Sequence, residues 1–465
     1  ASSNTAIGFD SMKQNTTGAS NVAVGRAALG ANTAGCNNVA VGVDSLVAST
    51  TGDQNVAVGK FALKTNTTAN NNTAVGYEAS RLNTTGTANT SIGQGALDAN
   101  TTGSNHVAIG KSALAANTTA DNNTAVGVCS MHGNTTGANN VAVGFRSMKV
   151  STTAAGNVGV GHSSFNCLTT GSNNVAIGFE AFNANTTAGN GTAVGVCALN
   201  ANTTGASNTA VGGYALDSNT TGASNTAVGE SALYTNTTGA NNTSVGQNSL
   251  AANTTGLDHV AIGKSALAGN LTGSYGVAIG KGAGQGNTTG GVNTYIGYCT
   301  GINITTGCRN IFIGNQIAAA AASNNDSITM GASVTSKGTN TGFIHPGGGG
   351  VYQGNNSSSW STTSDRRIKK NIVDNNIGLD KIDQIQVRNF EYKTAEEINE
   401  VPKHAAINKQ GIQLGVIAQE IEKILPDVVK EESTGVKRVD PTNLTWYIIN
   451  AIKELKAEID LLKNK

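Results

Sequence analysis

Residues 208–224 read NTAVGGYALDSNTTGAS, and residues 225–241 read NTAVGESALYTNTTGAN. Both stretches place an Asn, a short alternating segment, a Gly, an Ala-Leu pair and an Asn-Thr-Thr-Gly corner at the same offsets. The Gly of this unit recurs every 17 residues, twenty times, from Gly8 to Gly331 and without an insertion. One added residue would turn every following side chain to the opposite face, so the strict period predicts units stacked in a fixed register.

The places of one unit can be numbered from its leading Asn, as in the unit that begins at Asn21. Val22 and Val24, at the second and fourth places, alternate with smaller or polar residues, and this period of two predicts a short strand. Gly25 ends that strand, Leu29 at the ninth place belongs to a second apolar segment, and the Asn-Thr-Thr-Gly corner predicts a turn. The fold class is therefore predicted as mainly β, a parallel β-roll or β-solenoid of about twenty 17-residue coils.

The predicted core of such a coil is thin. Large apolar side chains at the second, fourth and ninth places are expected to fill it. The small residues Ala23 and Ala28, at the third and eighth places, are expected to let neighbouring chains approach closely. Because so thin a core buries little surface per residue, lateral association of chains is expected.

Composition excludes several classes of function. The chain has 60 Gly, 4 Pro and 4% aromatic residues, and its net charge is +1, which is no footprint for nucleic acid or for an anionic membrane surface. No apolar run approaches the ~20 residues of a membrane span. The six histidines share no ligand spacing, and residues 347–350 lack the Lys of a phosphate loop, so no metal, no cofactor and no membrane insertion are expected.

The start of the sequence and the six cysteines each leave alternatives open. The first residues contain neither an initiator Met nor a signal-peptide core, so either the chain was processed or it lost an N-terminal attachment module. Cys299 and Cys308 are the one cysteine pair within a unit. Coils about 4.8 Å apart keep other pairs beyond bonding distance, and small buried thiols are expected.

A change of composition divides the chain into three parts. Residues 1–345 contain 12 Lys or Arg and 11 Asp or Glu, whereas the remainder contains 17 of each. The predicted domains are a repeat shaft over 1–331, a Gly/Ser-rich linker over 332–360 and a separate domain over 361–465. That last domain is predicted to be mixed and mostly α.

Two segments of the last domain have helical patterns. Residues 415–426 predict an amphipathic helix that a proline ends. The last helix carries apolar residues at a 4-3-4-3 spacing, which predicts a short coiled-coil seam, with Glu454 and Glu458 on its solvated face. The seam consists of Ile448, Ile452, Leu455, Ile459 and Leu462.

The repeats resemble the head repeats of trimeric autotransporter adhesins (the YadA/Hia type). The resemblance rests on blocks such as NVAVG at residues 38–42 and NVAIG at residues 174–178. In that family such units build a left-handed parallel β-roll with three chains side by side. The resemblance therefore implies a trimer.

Residues 361–465 resemble the intramolecular chaperone domain of endosialidase-type tailspikes and phage tail fibres (the S74 peptidase family). The similarity includes the segment SDRRIKKNI at residues 364–372. It implies a domain that trimerises, guides folding of the fibre before it and then cuts itself off. The implied catalytic pair is Ser364 and Lys369, and the implied cleavage junction lies between Ser364 and Asp365.

Residue chemistry is compatible with this role. A serine hydroxyl needs a base, and a lysine can serve when desolvation or cationic neighbours favour its neutral form. Arg366, Arg367 and Lys370 supply such neighbours. The competing interpretation is a basic surface loop that begins a helix, with Ser364 as its N-cap.

The Asn-Thr-Thr corners have four interpretations. They are good turns, or glycosylated sequons, or a surface that displays a host-glycan ligand site, or a Thr file that orders water in the manner of ice-binding solenoids. Thirteen asparagines stand in the sequon: Asn15, Asn66, Asn83, Asn100, Asn117, Asn134, Asn185, Asn202, Asn219, Asn236, Asn253, Asn270 and Asn287.

The leading functional prediction is a structural, trimeric tail fibre or spike shaft of a virion, with a C-terminal chaperone that releases itself. Expected partners are a host-surface glycan or receptor and other virion proteins bound through an N-terminal region. Only single-turnover autoproteolysis, and no activity on other substrates, is expected. The alternative is a cell-surface or secreted trimeric adhesin or glycoprotein fibre.

Overall fold

The structure, a computed structural model, describes residues 2–346, 350–354, 361–362, 366–400, 407, 409–432 and 435–464. The chain divides into two compact units, residues 1–363 and residues 364–465. The first unit is a parallel β-solenoid and the second is a mixed unit with a long C-terminal helix. The predicted fold class is confirmed.

Each coil of the solenoid contributes one strand of three to five residues, and each strand pairs in parallel with the strand 17 residues later. The pairing of Val22 with Val39, and of Ala23 with Ala40, repeats without a slip along the first twenty strands. These strands are β1 Thr5–Ile7, β2 Val22–Val24, β3 Val39–Val41, β4 Val56–Val58, β5 Thr73–Val75, β6 Thr90–Ile92, β7 Val107–Ile109, β8 Thr124–Val126, β9 Val141–Val143, β10 Val158–Val160, β11 Val175–Ile177, β12 Thr192–Val194, β13 Thr209–Val211, β14 Thr226–Val228, β15 Thr243–Val245, β16 Val260–Ile262, β17 Val277–Ile279, β18 Thr294–Ile296, β19 Ile311–Asn315 and β20 Ile328–Ala332.

The 17-residue period changes directly after Gly331, the last of the repeated glycines. Strand β21 (Gly342–His345) still pairs in parallel with β20, but Ile328 faces Gly342, 14 residues later. Strands β22 (Val351–Gln353) and β23 (Ser361–Thr362) then continue the sheet in antiparallel fashion. Two of these strands lie within residues 332–360, the segment predicted as a linker, so a short antiparallel sheet closes the described part of the solenoid.

The repeated glycine is required by the backbone of the coil. Gly25 has a φ of +134°, a value that side-chain-bearing residues rarely adopt. A Cβ at this position would lie 2.5 Å from the carbonyl oxygen of Gly42 in the next coil. Every equivalent glycine from Gly8 to Gly331 has a positive φ, so close stacking and backbone conformation both explain the ladder.

The interior of the coil contains the opposite strand face from the predicted one. Ala23, Ala28 and Leu29, at the third, eighth and ninth places, are fully buried, whereas Val22 is 36% exposed and Val24 is half-buried. The prediction that the second and fourth places fill the core is therefore wrong, as is the prediction that the small residues face a neighbouring chain. A period of two defines two faces of a strand without saying which face is interior, and a coil this narrow accepts alanine opposite leucine.

Two columns of buried asparagine complete the interior. In the first column, at the first place, Asn38 donates from Nδ2 to the Gly52 carbonyl over 2.7 Å and accepts the Asn55 N–H at 2.9 Å. In the second column, at the twelfth place, Asn100 donates from Nδ2 to Asn83 Oδ1 and to the Gly103 carbonyl, both at 2.8 Å. Because these amides satisfy backbone groups that the turns leave unpaired, the polar interior stabilises the stack.

Where a core side chain is unusually large, the adjacent coils have glycine at the positions that contact it. Tyr295 occupies the third place, where most coils have alanine, and it is fully buried. Gly284 and Gly301 stand at the ninth places of adjacent coils, where leucine is usual, and a Cβ at either would overlap the Tyr295 ring. The interior therefore conserves volume across neighbouring coils rather than within each coil.

The C-terminal unit is smaller and mixes helices with two hairpin-like strand pairs. Strands β24 and β25 pair antiparallel, as do β26 and β27. The elements are a 3₁₀ turn Arg366–Ile368, α1 Leu379–Ile382, β24 Arg388–Phe390, β25 Gln413–Gly415, α2 Ala418–Ile424, a 3₁₀ turn Pro426–Val428, β26 Val429–Glu431, β27 Lys437–Val439 and α3 Pro441–Lys463. The helix predicted over 415–426 is present as the shorter α2.

Helix α3 has a well-defined beginning. The Asp440 carboxylate accepts the N–H of Thr442 at 2.9 Å, and Pro441 occupies the first helical position. Tyr447 and Ala451 are its buried residues. Tyr447 packs against the core formed by Ile421, Leu425 and Val428, while its hydroxyl donates to Asp427 over 2.8 Å.

The six cysteines are free. Cys197 is buried, Cys167 is exposed, and the other four are partly exposed. The expectation of small buried thiols therefore holds for Cys197 alone. The sixteenth-place cysteines instead accept backbone N–H groups from the preceding coil, as Cys36 Sγ does from Ala19.

Candidate functional site

The predicted scission site lies mostly outside the described residues. Ser364 and Asp365 belong to residues that the structure does not describe. Lys369 follows the 3₁₀ turn at Arg366–Ile368, donates its backbone N–H to the Arg366 carbonyl over 3.1 Å and has an exposed side chain. The Ser364–Lys369 pair and the junction at Asp365 therefore stay predictions.

The seam of helix α3 is exposed along its whole length. Ile452 is 61% exposed and Leu462 is 70% exposed, and the other three seam residues lie between 41% and 44%. The apolar spacing is that of a coiled coil, and no other element among the described residues of this unit covers it. Exposure of such a face to water raises the free energy of the chain, and burial against an equivalent helix lowers it.

The opposite side of α3 is held by polar contacts to α1. Glu454 is half-buried and accepts the N–H of Leu379 at 2.5 Å, so it is only partly on the solvated face, whereas Glu458 is exposed as expected. Asn450 donates to the carbonyls of Asn375 and Ile377 at 2.7 and 3.2 Å. These bonds fix the rotation of α3 and so determine which face remains outward.

A second surface, apolar at its fourth places and mixed with threonine at its second places, follows the strands of the solenoid, and we call it the outer stripe. It consists of the second- and fourth-place side chains of β1–β20, which point away from the interior. Every second-place residue is Val, Ile or Thr, and every fourth-place residue is Val or Ile except Met330. Ile177 and Ile279 are 41% and 40% exposed. β-branched residues in register form a straight apolar surface that another strand face can cover.

The sequon asparagines occupy the twelfth-place column inside the solenoid. All of them except Asn15 are buried, and their Nδ2 atoms, where a glycan would attach, donate to neighbouring oxygens; Asn219 Nδ2 contacts Asn202 Oδ1 at 2.6 Å and the Gly222 carbonyl at 2.9 Å. Inside the folded solenoid there is no space for a glycan on these Nδ2 atoms. Glycosylation therefore stays a prediction that the packing disfavours.

The signal for this burial was present in the sequence. Leu168 and Ile304 stand at the same twelfth place and are fully buried. An exposed corner has no use for a branched apolar residue, so these two substitutions mark the place as interior.

The two threonines of each corner differ in role. At the thirteenth place, Thr84 donates from Oγ1 to the carbonyl of Thr101 in the next coil over 2.9 Å, as the turn interpretation expects. At the fourteenth place the side chains are exposed, as for Thr85. The exposed file is one hydroxyl wide, because the neighbouring file is bonded to the backbone.

Among the described residues no group of three His, Cys, Asp or Glu side chains is arranged to hold a metal ion. In the same part of the chain, every helix is too short or too polar to cross a bilayer. His106 and His259 stand at the first place, where most coils have asparagine, and lie in the interior.

Comparison with known proteins gives one family match. Residues 364–430 match the family described as chaperone of endosialidase (Peptidase_S74). The match begins at residue 364, where the second structural unit also begins. Neither the curated proteins nor the solved structures gave a match to the chain.

Proposed function

We propose that the chain is the shaft of a trimeric virion fibre whose C-terminal unit nucleates assembly and then releases itself. The observation that carries the proposal is the chaperone-of-endosialidase match, which starts where a β-solenoid unit ends. A solenoid presents the same surface repeatedly along its length. Its role is then to extend and to display a host-binding surface, for which host glycans are the proposed ligand.

Two apolar surfaces support three chains side by side. The α3 seam has the 4-3-4-3 spacing of a coiled coil, and the outer stripe continues along β1–β20. A seam from three chains would bury its five large residues, and the stripe would extend the contact along the shaft. Both surfaces are made of residues that a lone chain leaves half in water.

The physical problem that a chaperone unit solves is register. Parallel pairing across 17-residue steps has many near-equivalent alternatives, and exposed strand edges aggregate. A helical seed that brings three chains together raises their local concentration and aligns the coils nearest to it in sequence. Release of the seed afterwards leaves a fibre that is trapped kinetically in its folded form.

Scission is proposed at Ser364, with its hydroxyl as nucleophile and Lys369 as base. The hydroxyl attacks the carbonyl of the preceding residue, and the Lys369 amine accepts the hydroxyl proton. The Lys369 amine then returns that proton to the Ser364 nitrogen as the C–N bond breaks, which leaves an ester on Ser364 and places the cut one bond before the junction that the resemblance implies. Water then hydrolyses that ester. Because the unit boundary falls between residues 363 and 364, the cut would separate two units that each keep their internal contacts.

The test is expression of the full chain beside Ser364→Ala and Lys369→Arg. The parent is expected to yield a C-terminal fragment, identified by N-terminal sequencing, and both variants are expected to stay intact. Lys369→Arg keeps the positive charge but removes a group that can be neutral at ordinary pH. Lys370→Arg is the matched control and should be cut like the parent.

Equal cleavage of the parent and Ser364→Ala would contradict the scission mechanism. The fibre proposal is tested separately by light scattering on the uncut Ser364→Ala chain, which should have three times the monomer mass. A monomer at every concentration would contradict the trimeric shaft.

A further inference from the structure

The first-place column has a regular hydrogen-bond pattern, and in two of its coils a histidine takes the place of the asparagine. In an ordinary coil Asn140 accepts the N–H of Asn157 through Oδ1 at 2.9 Å and donates from Nδ2 to the Ala154 carbonyl at 2.8 Å. One side chain therefore bridges two coils, as acceptor on one atom and donor on the other. His106 and His259 take the same place nine coils apart.

The first histidine reproduces both bonds with its ring nitrogens. His106 Nδ1 accepts the N–H of Asn123 at 3.2 Å, and Nε2 lies 2.6 Å from the Ala120 carbonyl oxygen. The ring is 1% exposed. The backbone N–H of His106 is donated to Asn89 Oδ1 at 3.0 Å, so the hydrogen-bonded column continues through this residue.

The second histidine has the same geometry. His259 Nδ1 accepts the N–H of Gly276 at 3.0 Å, and Nε2 lies 2.5 Å from the Gly273 carbonyl oxygen. The ring is again 1% exposed. Two independent coils thus use the imidazole in the same way.

These contacts define one tautomer. A backbone N–H can only donate, so Nδ1 must keep its lone pair, and a carbonyl can only accept, so Nε2 must carry the hydrogen. The neutral Nε2–H form is therefore an isostere of the asparagine amide. The imidazolium is not, because a hydrogen on Nδ1 would point at the N–H of Asn123 or Gly276, and two donors would face each other in a buried site.

We propose that the coils of His106 and His259 are acid-sensitive joints, at which protonation of the buried imidazole breaks the bond to the next coil and opens the solenoid locally. Coils with asparagine at this place have no titratable group in the column and stay closed. The acid response is thereby confined to two positions along an otherwise uniform stack. The proposal is independent of the fibre function.

The charged groups near each ring are few. Burial lowers the pKa of His106 and His259, while the carbonyl contacts and the nearby carboxylates Asp121 and Asp258 oppose that shift. The side-chain amides in contact with His106 do not titrate: Asn89 Oδ1 accepts its backbone N–H, and Asn117 Nδ2 lies 3.1 Å from Nε2. His259 faces Asn242 and Asn270 in the same way.

The sign of the effect follows from proton linkage. Below a pH of about 6.5 the imidazole binds a proton when its coil is open but stays neutral when the coil is closed. The closed state therefore becomes less favourable as the pH falls. Each histidine can weaken closure about tenfold per pH unit, until its lowered folded pKa is reached. The closed coils are fully stabilised above pH 6.5 and lose that stability in acid.

Hydrogen exchange of the full chain, read by mass spectrometry at pH 7.5 and pH 5.0, tests this. Peptides over residues 117–124 and 270–277 contain the two amides that donate to Nδ1. Peptides over 134–141 and 219–226 cover the same places in asparagine coils and provide an internal control. After correction for intrinsic exchange, opening of the histidine peptides is expected to rise by up to about thirtyfold relative to the controls between these pH values.

Two variants make the test specific. His106→Asn installs the residue that most other coils carry, so it should abolish the acid response of residues 117–124 while residues 270–277 still respond. His162→Asn changes an exposed histidine and should leave both responses unchanged. An equal pH response in histidine and asparagine coils, a response that survives His106→Asn, or one removed by His162→Asn would overturn the proposal.

Discussion

The solenoid and the C-terminal unit complete their cores in different ways. A solenoid coil such as the one containing Ala23 and Leu29 buries its interior against the coils before and after it in the same chain. The C-terminal unit has a small buried core around Ile421 and Val428, and its longest helix leaves its apolar seam in water. One unit thus buries its apolar interior within the chain, and the other leaves an apolar face exposed.

The difference teaches where oligomerisation is decided. The outer stripe is a half-buried surface spread over twenty strands, whereas the seam is five large residues on one helix. A concentrated helical surface associates through local structure that forms early, but a long strand surface gains contacts only when every coil is in register. The seam is therefore expected to start assembly and the stripe to maintain it.

The largest expected effect follows from placing charge in the seam. Ile452→Asp with Ile459→Asp buries two carboxylates in any coiled-coil contact, which should prevent the proposed trimer from forming and leave monomers of the full chain. Light scattering after size-exclusion chromatography measures this.

The matched control places the same charge beside the seam. Lys453→Asp with Lys456→Asp alters exposed positions of α3 and should leave the trimer intact. If the seam variant still formed trimers, the solenoid rather than the helix would drive assembly.

A smaller effect, inside the solenoid alone, is expected from a glycine exchange. Gly212 has a φ of +135°, and a Cβ there would lie 2.6 Å from the Gly229 carbonyl oxygen. Gly212→Ala should cost about 3 kcal/mol of the free energy of unfolding, from backbone strain together with the overlap. The urea midpoint of the solenoid transition measures this loss.

The next residue supplies the control. A Cβ at Gly213 has no atom within 4 Å. Gly213→Ala should therefore change stability by less than about 0.5 kcal/mol. If both glycines tolerate alanine equally, the close stacking of coils does not limit the sequence of the ladder.

The smallest expected effect separates the two polar positions of one corner. Asn219→Ala leaves Asn202 Oδ1 without its buried donor and the Gly222 carbonyl with Asn208 Nδ2 as its remaining side-chain donor, at a cost of about 1–3 kcal/mol. Thr221→Ala removes an exposed hydroxyl and should stay within about 0.5 kcal/mol. Thermal unfolding followed by circular dichroism compares them, and equal losses would refute a stabilising role for the asparagine column.

Much of the solenoid was predictable from its period. Gly8 to Gly331 gave the strand count and the 17-residue register, and both are confirmed. The strand face that turns inward was not predictable from alternation, because Val22 and Ala23 differ in size and either can face a core. The width of the coil makes that choice, and width depends on how the turns close in three dimensions.

The candidate site was predicted in part. The seam from Ile448 to Leu462 lies on one helix, as its spacing requires, but the bond from Leu379 to Glu454 depends on a partner 75 residues away and leaves no local signal. The Asn-Thr-Thr corners read equally well as sequons and as turns, because the same amide serves both uses. Only the packing around Asn219 distinguishes them.

The stacking of each coil on its two neighbours has a genetic consequence. Seventeen codons specify a cassette that meets any other cassette through the same surfaces, so unequal recombination within the gene lengthens or shortens the rod by whole steps. Exchange is restricted where Tyr295 relies on Gly284 and Gly301, because those adjacent cassettes must be inherited together. A population of such genes should then vary in shaft length far more readily than in shaft cross-section.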